Sequence, residues 1–155
     1  MMKLLAILPL SLLLFTGCSQ KGAFSNFELT RKQEFSISNT QRSKITSLEK
    51  VEGTFTAIYL NNIYPEIYQE KDAFLVFIYT KDKTKTNKIL FLANDKEALK
   101  VEEVKDKEEF KDLVEMQNSW NSCYFMEFLS DEKREVRFGV QNDNYKSTLL
   151  IYKKM

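Results

Sequence analysis

The chain has 155 residues, 23 Lys and Arg against 22 Asp and Glu, and no histidine. A balance so close to zero supplies no long-range field for nucleic acid or for an acidic membrane surface. The missing histidine removes the commonest general base, the Ser-His and Cys-His nucleophile pairs and the usual zinc ligand. The length suits one domain with a sizeable apolar core.

An apolar run from Leu4 to Phe15 opens the chain, twelve residues behind the single charge of Lys3 and interrupted by Pro9. At about 1.5 Å per residue it falls short of a hydrocarbon layer of about 30 Å, so it is too short to span a bilayer. A positive start, a brief apolar stretch and then small residues form the layout of a secretory signal. The small residues are Thr16 and Gly17, directly followed by Cys18. Phe15-Thr16-Gly17-Cys18 resembles the lipobox of bacterial lipoproteins, with phenylalanine where leucine is usual. The resemblance implies that residues 1–17 are a signal cut before Cys18, that the Cys18 sulfur carries two acyl chains, palmitate among them, and that the new amine carries a third. A single chain binds a membrane reversibly, whereas two or more, at about 0.8 kcal/mol per buried methylene, anchor durably. Ser19 after the cysteine, where aspartate would retain the protein, implies in that family transport to the outer membrane of a Gram-negative cell. The expected location is therefore the bacterial envelope, with the membrane as a partner through the lipid on Cys18.

Removal of Lys3 with the signal leaves 22 basic side chains, equal to the 22 acidic ones. With Cys18 acylated, Cys123 has no cysteine partner, so an exported domain must rely on its apolar core rather than on a disulfide. Residues 18–33 are polar, with scattered Phe24, Phe27 and Leu29, and read as the lipidated cysteine and a tether into the first strand. Residues 34–155 read as a single domain.

Thr54 to Leu60 alternates, with Phe55, Ala57 and Tyr59 on one face and Thr54, Thr56 and Ile58 on the other. Ala73 to Tyr79 is apolar without alternation and predicts a central strand covered on both faces; Ile89 to Ala93 is a shorter example. A capping residue at Asp106 with Glu109 three positions on, followed by Phe110, Leu113 and Val114, predicts a surface helix of about eight residues. A strand is predicted from about Ser122 to Leu129. Glu135 to Val140 alternates, with Val136, Phe138 and Val140 inward. Ser147 to Tyr152 adds a last strand, and Gln141-Asn142-Asp143-Asn144 has the turn chemistry to join these two as a hairpin. The expected fold is mainly β, an antiparallel, immunoglobulin-like sandwich with one short helix; an α+β domain with one antiparallel sheet is the alternative. The layout of signal, tether and one Lys- and Phe-rich sandwich resembles the small immunoglobulin-like lipoproteins of host-associated Gram-negative bacteria.

Chemistry-bearing patterns are sparse. Cys123 has no basic neighbour in sequence to activate it and reads as a small core residue. The four glycines form no phosphate-cradling loop. Acidic residues from Glu102 to Asp112 alternate with lysines as a solvated face does, and Asn142-Asp143-Asn144 lacks the following glycine of a calcium loop. No catalytic residue, metal site or cofactor is expected, and no nucleic acid partner. Two loops qualify for binding. Lys83, Lys85 and Lys88 lie between two apolar strands, where they can meet phosphate or an anionic sugar or simply solubilise a hairpin. Ile63, Tyr64, Ile67 and Tyr68 form a loop of the composition that partner surfaces use, or one that folds over an open end of the core. The favoured function is non-enzymatic binding of an envelope protein, or of a host glycan or protein, as an adhesin or accessory subunit. The alternative is a carrier holding a lipid or other apolar ligand between the sheets, and an enzyme acting on envelope polymers ranks last.

Cys18→Ala should leave an unprocessed precursor that fractionates away from the detergent-soluble membrane pool and takes up no labelled fatty acid. Membrane retention of the variant, together with no acyl label on the wild type, would defeat the lipoprotein reading.

Overall fold

The computed structural model describes residues 29–105, 108–113 and 118–155, without the side chains of Lys85, Asn87 and Glu109. The lipobox at Phe15–Cys18, the signal and most of the tether lie outside the described residues. Helix α1 spans Arg31–Ser38. The strands are β1 (Thr40–Ser47), β2 (Lys50–Tyr59), β3 (Lys71–Thr80), β4 (Phe91–Ala93), β5 (Lys96–Glu97), β6 (Lys100–Glu103), β7 (Ser122–Leu129), β8 (Glu135–Val140), β9 (Lys146–Ser147) and β10 (Leu150–Lys153).

All pairings are antiparallel, in one six-stranded sheet of order β6-β7-β3-β2-β1-β9 and one four-stranded sheet of order β10-β8-β4-β5. The expected antiparallel sandwich with one short helix is thus what forms. Its strand order refines the immunoglobulin-like expectation: β1, β2 and β3 are neighbours in one sheet, where an immunoglobulin sandwich passes its third strand to the other.

The alternation in β2 works as the sequence predicts. Phe55, Ala57 and Tyr59 face the smaller sheet and pair in register with Ile78, Val76 and Phe74 of β3. From β8 come Val136, Phe138 and Val140, and from β10 come Leu150 and Tyr152. Aromatic rings fill the space between the sheets: Phe138 stacks on Phe74 at 4.2 Å and on Phe91 at 5.4 Å, and Phe55 meets Phe91 edge-on at 5.1 Å. Gly53 lies so close to β3 that a Cβ would run into the Tyr79 carbonyl oxygen, so a larger residue would push the two strands apart.

β3 is buried on both faces, as its unbroken apolar run requires. On the outer face Ile58, Leu60, Ala73, Leu75, Phe77, Cys123 and Phe125 form a second apolar cluster. It is roofed by Phe110 and Leu113 together with half-buried Ile63, Tyr64, Tyr68 and Val104. The segment after Asp106 holds a 3₁₀ turn over Glu108–Phe110, not an eight-residue helix; Asp106 and Val114 lie outside the described residues. Phe110 and Leu113 are three apart, so a single turn aims both at the sheet.

The α-helix lies instead at Arg31–Ser38, beginning inside the stretch read as tether. Thr30 caps it with Gln33 as its reciprocal partner, and its end docks on the sheet where the Asn39 carbonyl accepts from the Tyr59 amide at 3.0 Å.

One end of the sandwich is closed by a buried polar group. Asp72, 1% exposed, accepts a hydrogen bond from the Tyr59 hydroxyl at 2.7 Å and pairs with Lys154 at 3.1 Å. Lys154 also donates to Ser130 Oγ at 2.8 Å and to the Asp131 carbonyl at 2.9 Å. A buried carboxylate is costly unless so partnered.

Burial, followed by the Asp72 hydrogen bond, holds the Tyr59 phenol far above the ordinary tyrosine range, and burial does the same for Tyr152. Burial also pushes the Cys123 thiol up to about 12. Above about pH 9 the unfolded chain sheds these protons while the folded chain keeps them, so stability falls as pH rises. Tyr59→Phe should reduce that decline by about 1.4 kcal/mol per pH unit above pH about 10. Urea unfolding across that range checks it, and an unchanged slope in the variant would refute it.

Candidate functional site

The roof over the outer face stops short of the β1 side of the large sheet. There β1 presents Arg42, β2 presents Thr54 and Thr56, and β3 presents Phe77 and Tyr79. The register sets them in cross-strand rows, Arg42 beside Thr56 beside Phe77, and Thr54 beside Tyr79. Phe77, nearly buried, forms the floor. The side wall is the turn from Asn118 to Asn121. Its Asn118 Oδ1 accepts from the Trp120 amide at 2.9 Å and the Asn121 amide at 3.2 Å, while Asn121 Oδ1 accepts from the Asn118 amide at 3.1 Å. Held this way, Trp120 is 72% exposed, and Tyr79 beside the same groove is 42% exposed. The groove encloses about 400 Å³.

Among the described residues its lining contains one cation, Arg42, and no carboxylate. The Arg42 guanidinium donates to Thr54 Oγ1 at 3.1 Å. Neither Arg42 nor Lys44, two residues further along the same face of β1, is ion-paired among the described residues. A guanidinium carries five N–H donors, so most of the capacity of Arg42 is directed at solvent. The arrangement suits recognition by side chains: two rings, two hydroxyls, an amide turn and one positive charge. Among the described residues its lining includes neither a nucleophile with a base nor a pair of carboxylates.

The residues singled out from sequence fall elsewhere. Ile63, Tyr64 and Tyr68 belong to the roof of the outer cluster, with the Tyr68 ring 6.0 Å from that of Phe125 and the Lys32 ammonium 5.2 Å above the Tyr64 ring. Of the four residues singled out in that loop, Ile67 points outward, at 67% exposure. Lys83 and Lys88 are exposed on a 3₁₀ segment, Lys83–Lys88, that carries the chain from β3 to β4 in the opposite sheet; the segment is a crossover, not the tip of a hairpin. The Lys85 side chain and Cys18 lie outside the described residues. Cys123 sits in the outer cluster. Asn142 Oδ1 accepts from the Asn144 and Tyr145 amides at 3.0 and 2.7 Å, which is turn chemistry. Glu102, Glu103, Glu108 and Asp112 each pair with a lysine. Among the described residues no group of three or more Asp, Glu, Cys or His is gathered to hold a metal.

No family model, curated protein or solved structure matches the chain. The groove must be read from its own geometry. Sequence reasoning passed over it because Arg42 lies in a polar strand without apolar alternation and Trp120 in a turn. The available signal was the pair Thr54 and Thr56, two hydroxyls opposite an inward Phe55, with the chain's single tryptophan following among asparagines.

Replacing both Tyr64 and Tyr68 with alanine opens the roof and should cost about 2–4 kcal/mol of stability. Trp120→Ala should change it by less than about 0.5 kcal/mol. Thermal and denaturant unfolding of the two variants side by side checks the contrast; equal losses would mean that the ring of Trp120 is part of the core.

Proposed function

We propose that this protein is a lipid-anchored, non-enzymatic binding module of the bacterial envelope, held by acyl chains on Cys18 in the outer membrane. Its partner, a protein or glycan, seats on the outer-face groove. The observation that carries the binding reading is that groove: exposed Trp120 and Tyr79 beside Arg42, which has no ion-pair partner among the described residues, on a face whose other half is roofed. Rings and arginine are the residue types in which binding energy concentrates. The anchor rests on the lipobox resemblance alone. The sandwich core supports a binder over a carrier of apolar ligand, since stacked Phe74, Phe91 and Phe138 fill the space such a ligand would occupy.

Photo-crosslinking from position 79 in intact envelopes, with the neighbour identified by mass spectrometry, tests the reading. A single dominant adduct that disappears in Trp120→Ala, while the variant keeps its thermal stability, is the expected result. No adduct, or one insensitive to Trp120, would defeat it.

A further inference from the structure

The groove carries information about the class of its ligand. The backbone donors and acceptors of β2 and β3 are committed to ladders on both sides, while β1 is laddered to β2 on one side and to β9 only at Ile45 and Thr46 on the other. A partner lying on the face over β2 and β3 therefore meets side chains, with no strand edge between them for an extended peptide to join. A pyranose ring suits such a surface. It has a face of C–H groups that packs on an aromatic ring and a rim of hydroxyls that both donate and accept. Tyr79 and Trp120 offer the rings, and Thr54 and Thr56 the hydroxyls.

Arg42 adds a sign. Among the described residues it is the one charged group in the lining and lacks an ion-pair partner, and it stands two residues from Lys44, which is in the same condition. A planar guanidinium recognises a carboxylate by two parallel hydrogen bonds, which an ammonium cannot reproduce. We infer that the groove binds a saccharide bearing a carboxylate, a uronate or sialate unit, with Arg42 on the carboxylate and Trp120 and Tyr79 against the ring.

This inference rests on the binding-module reading, and the experiment separates the two. Trp120 is the only tryptophan, so the intrinsic fluorescence of the detergent-solubilised full chain reports the groove directly. The probes are 3′-sialyllactose and trigalacturonate, with lactose and maltotriose as neutral counterparts and a short oligoglutamate as the acidic peptide. At least one acidic saccharide should give a saturable change, with its neutral counterpart weaker by about tenfold or more. Arg42→Gln should erase that difference and Arg42→Lys should keep only part of it, both with unaltered thermal unfolding because the side chain is exposed. Equal binding of acidic and neutral saccharides would overturn the inference, as would no response to any of the four. If saccharides fail while oligoglutamate binds, or while the crosslink from position 79 still captures a Trp120-dependent neighbour, the ligand class falls and the binding reading stands. Failure of both saccharides and crosslink ends both.

Discussion

The structure depends on one constraint, that β3 is apolar on both faces. A strand of this kind in a six-stranded sheet must be covered twice, once by the smaller sheet and once by something else. The second cover is built from connections rather than from a third layer. The loop from Asn61 to Tyr68 delivers Ile63, Tyr64 and Tyr68, and the segment from Glu108 to Leu113 delivers Phe110 and Leu113, onto the cluster of Ile58, Leu75, Phe77 and Phe125. Connections of this length cannot shield a whole sheet. They cover β3 and β7, and they leave the polar outer side of β1 and β2 open. The groove at Arg42, Thr54 and Thr56 is thus a geometric remainder of how β3 is buried, and its polar lining is what lets that half of the sheet stay exposed.

Polar groups that are buried are matched. Among the described residues no buried side-chain nitrogen or oxygen lacks a hydrogen-bond partner. Asp72 shows what this demands of sequence position: its carboxylate lies inside the end of the sandwich, and its partners come from β2 and from Lys154 near the chain's end. Tyr152 makes a second tie, its hydroxyl donating to the Ala57 carbonyl at 2.8 Å, while the Gln41 side chain bonds both the amide and the carbonyl of Ile151. Local strain sits at the surface. The β1–β2 turn places Leu48 and Glu49 at positive φ, a geometry that Asn94 and Asp95 adopt more readily in the β4–β5 turn.

How much of this was legible follows from where apolar pattern and structure coincide. In β2, β3, β7 and β8 the side chains that face the core are the ones that set the pattern, so the strands could be read directly, and the inward facing of Val136 and Phe138 with them. β1 reads TQRSKITS and buries only Ser43 and Ile45, and β6 is exposed throughout. Backbone pairing with a strong neighbour holds such strands in place, and that leaves no mark in their own residues. The helix was misplaced because two capping boxes compete in this chain. Thr30-Gln33 is followed by a segment with room to run eight residues before β1, whereas the one at Asp106 precedes two apolar residues that a single turn suffices to seat. The site was the least legible part. A groove assembled from alternate residues of three strands and a turn is a property of register, and register follows from the burial of the opposite faces.

A shallow groove of side chains on a sheet face and the proposed acylation at Cys18 make sense together. Such a surface offers a ligand contact on one side only, so affinity per site stays modest, since the ordering of side chains and of the ligand's own bonds is offset by few fully enclosed contacts. Tethering changes that arithmetic. A module fixed to a membrane meets partners fixed to the same or a facing surface at an effective concentration set by its reach, and many weak contacts made at once exceed any one of them without a new atom in the site. Under the proposed anchoring at Cys18, selection acts on the chemistry of the groove and on the length of chain before Arg31 rather than on depth of the pocket. A sandwich whose core is filled by stacked rings and whose outer face presents Arg42, Tyr79 and Trp120 meets that demand.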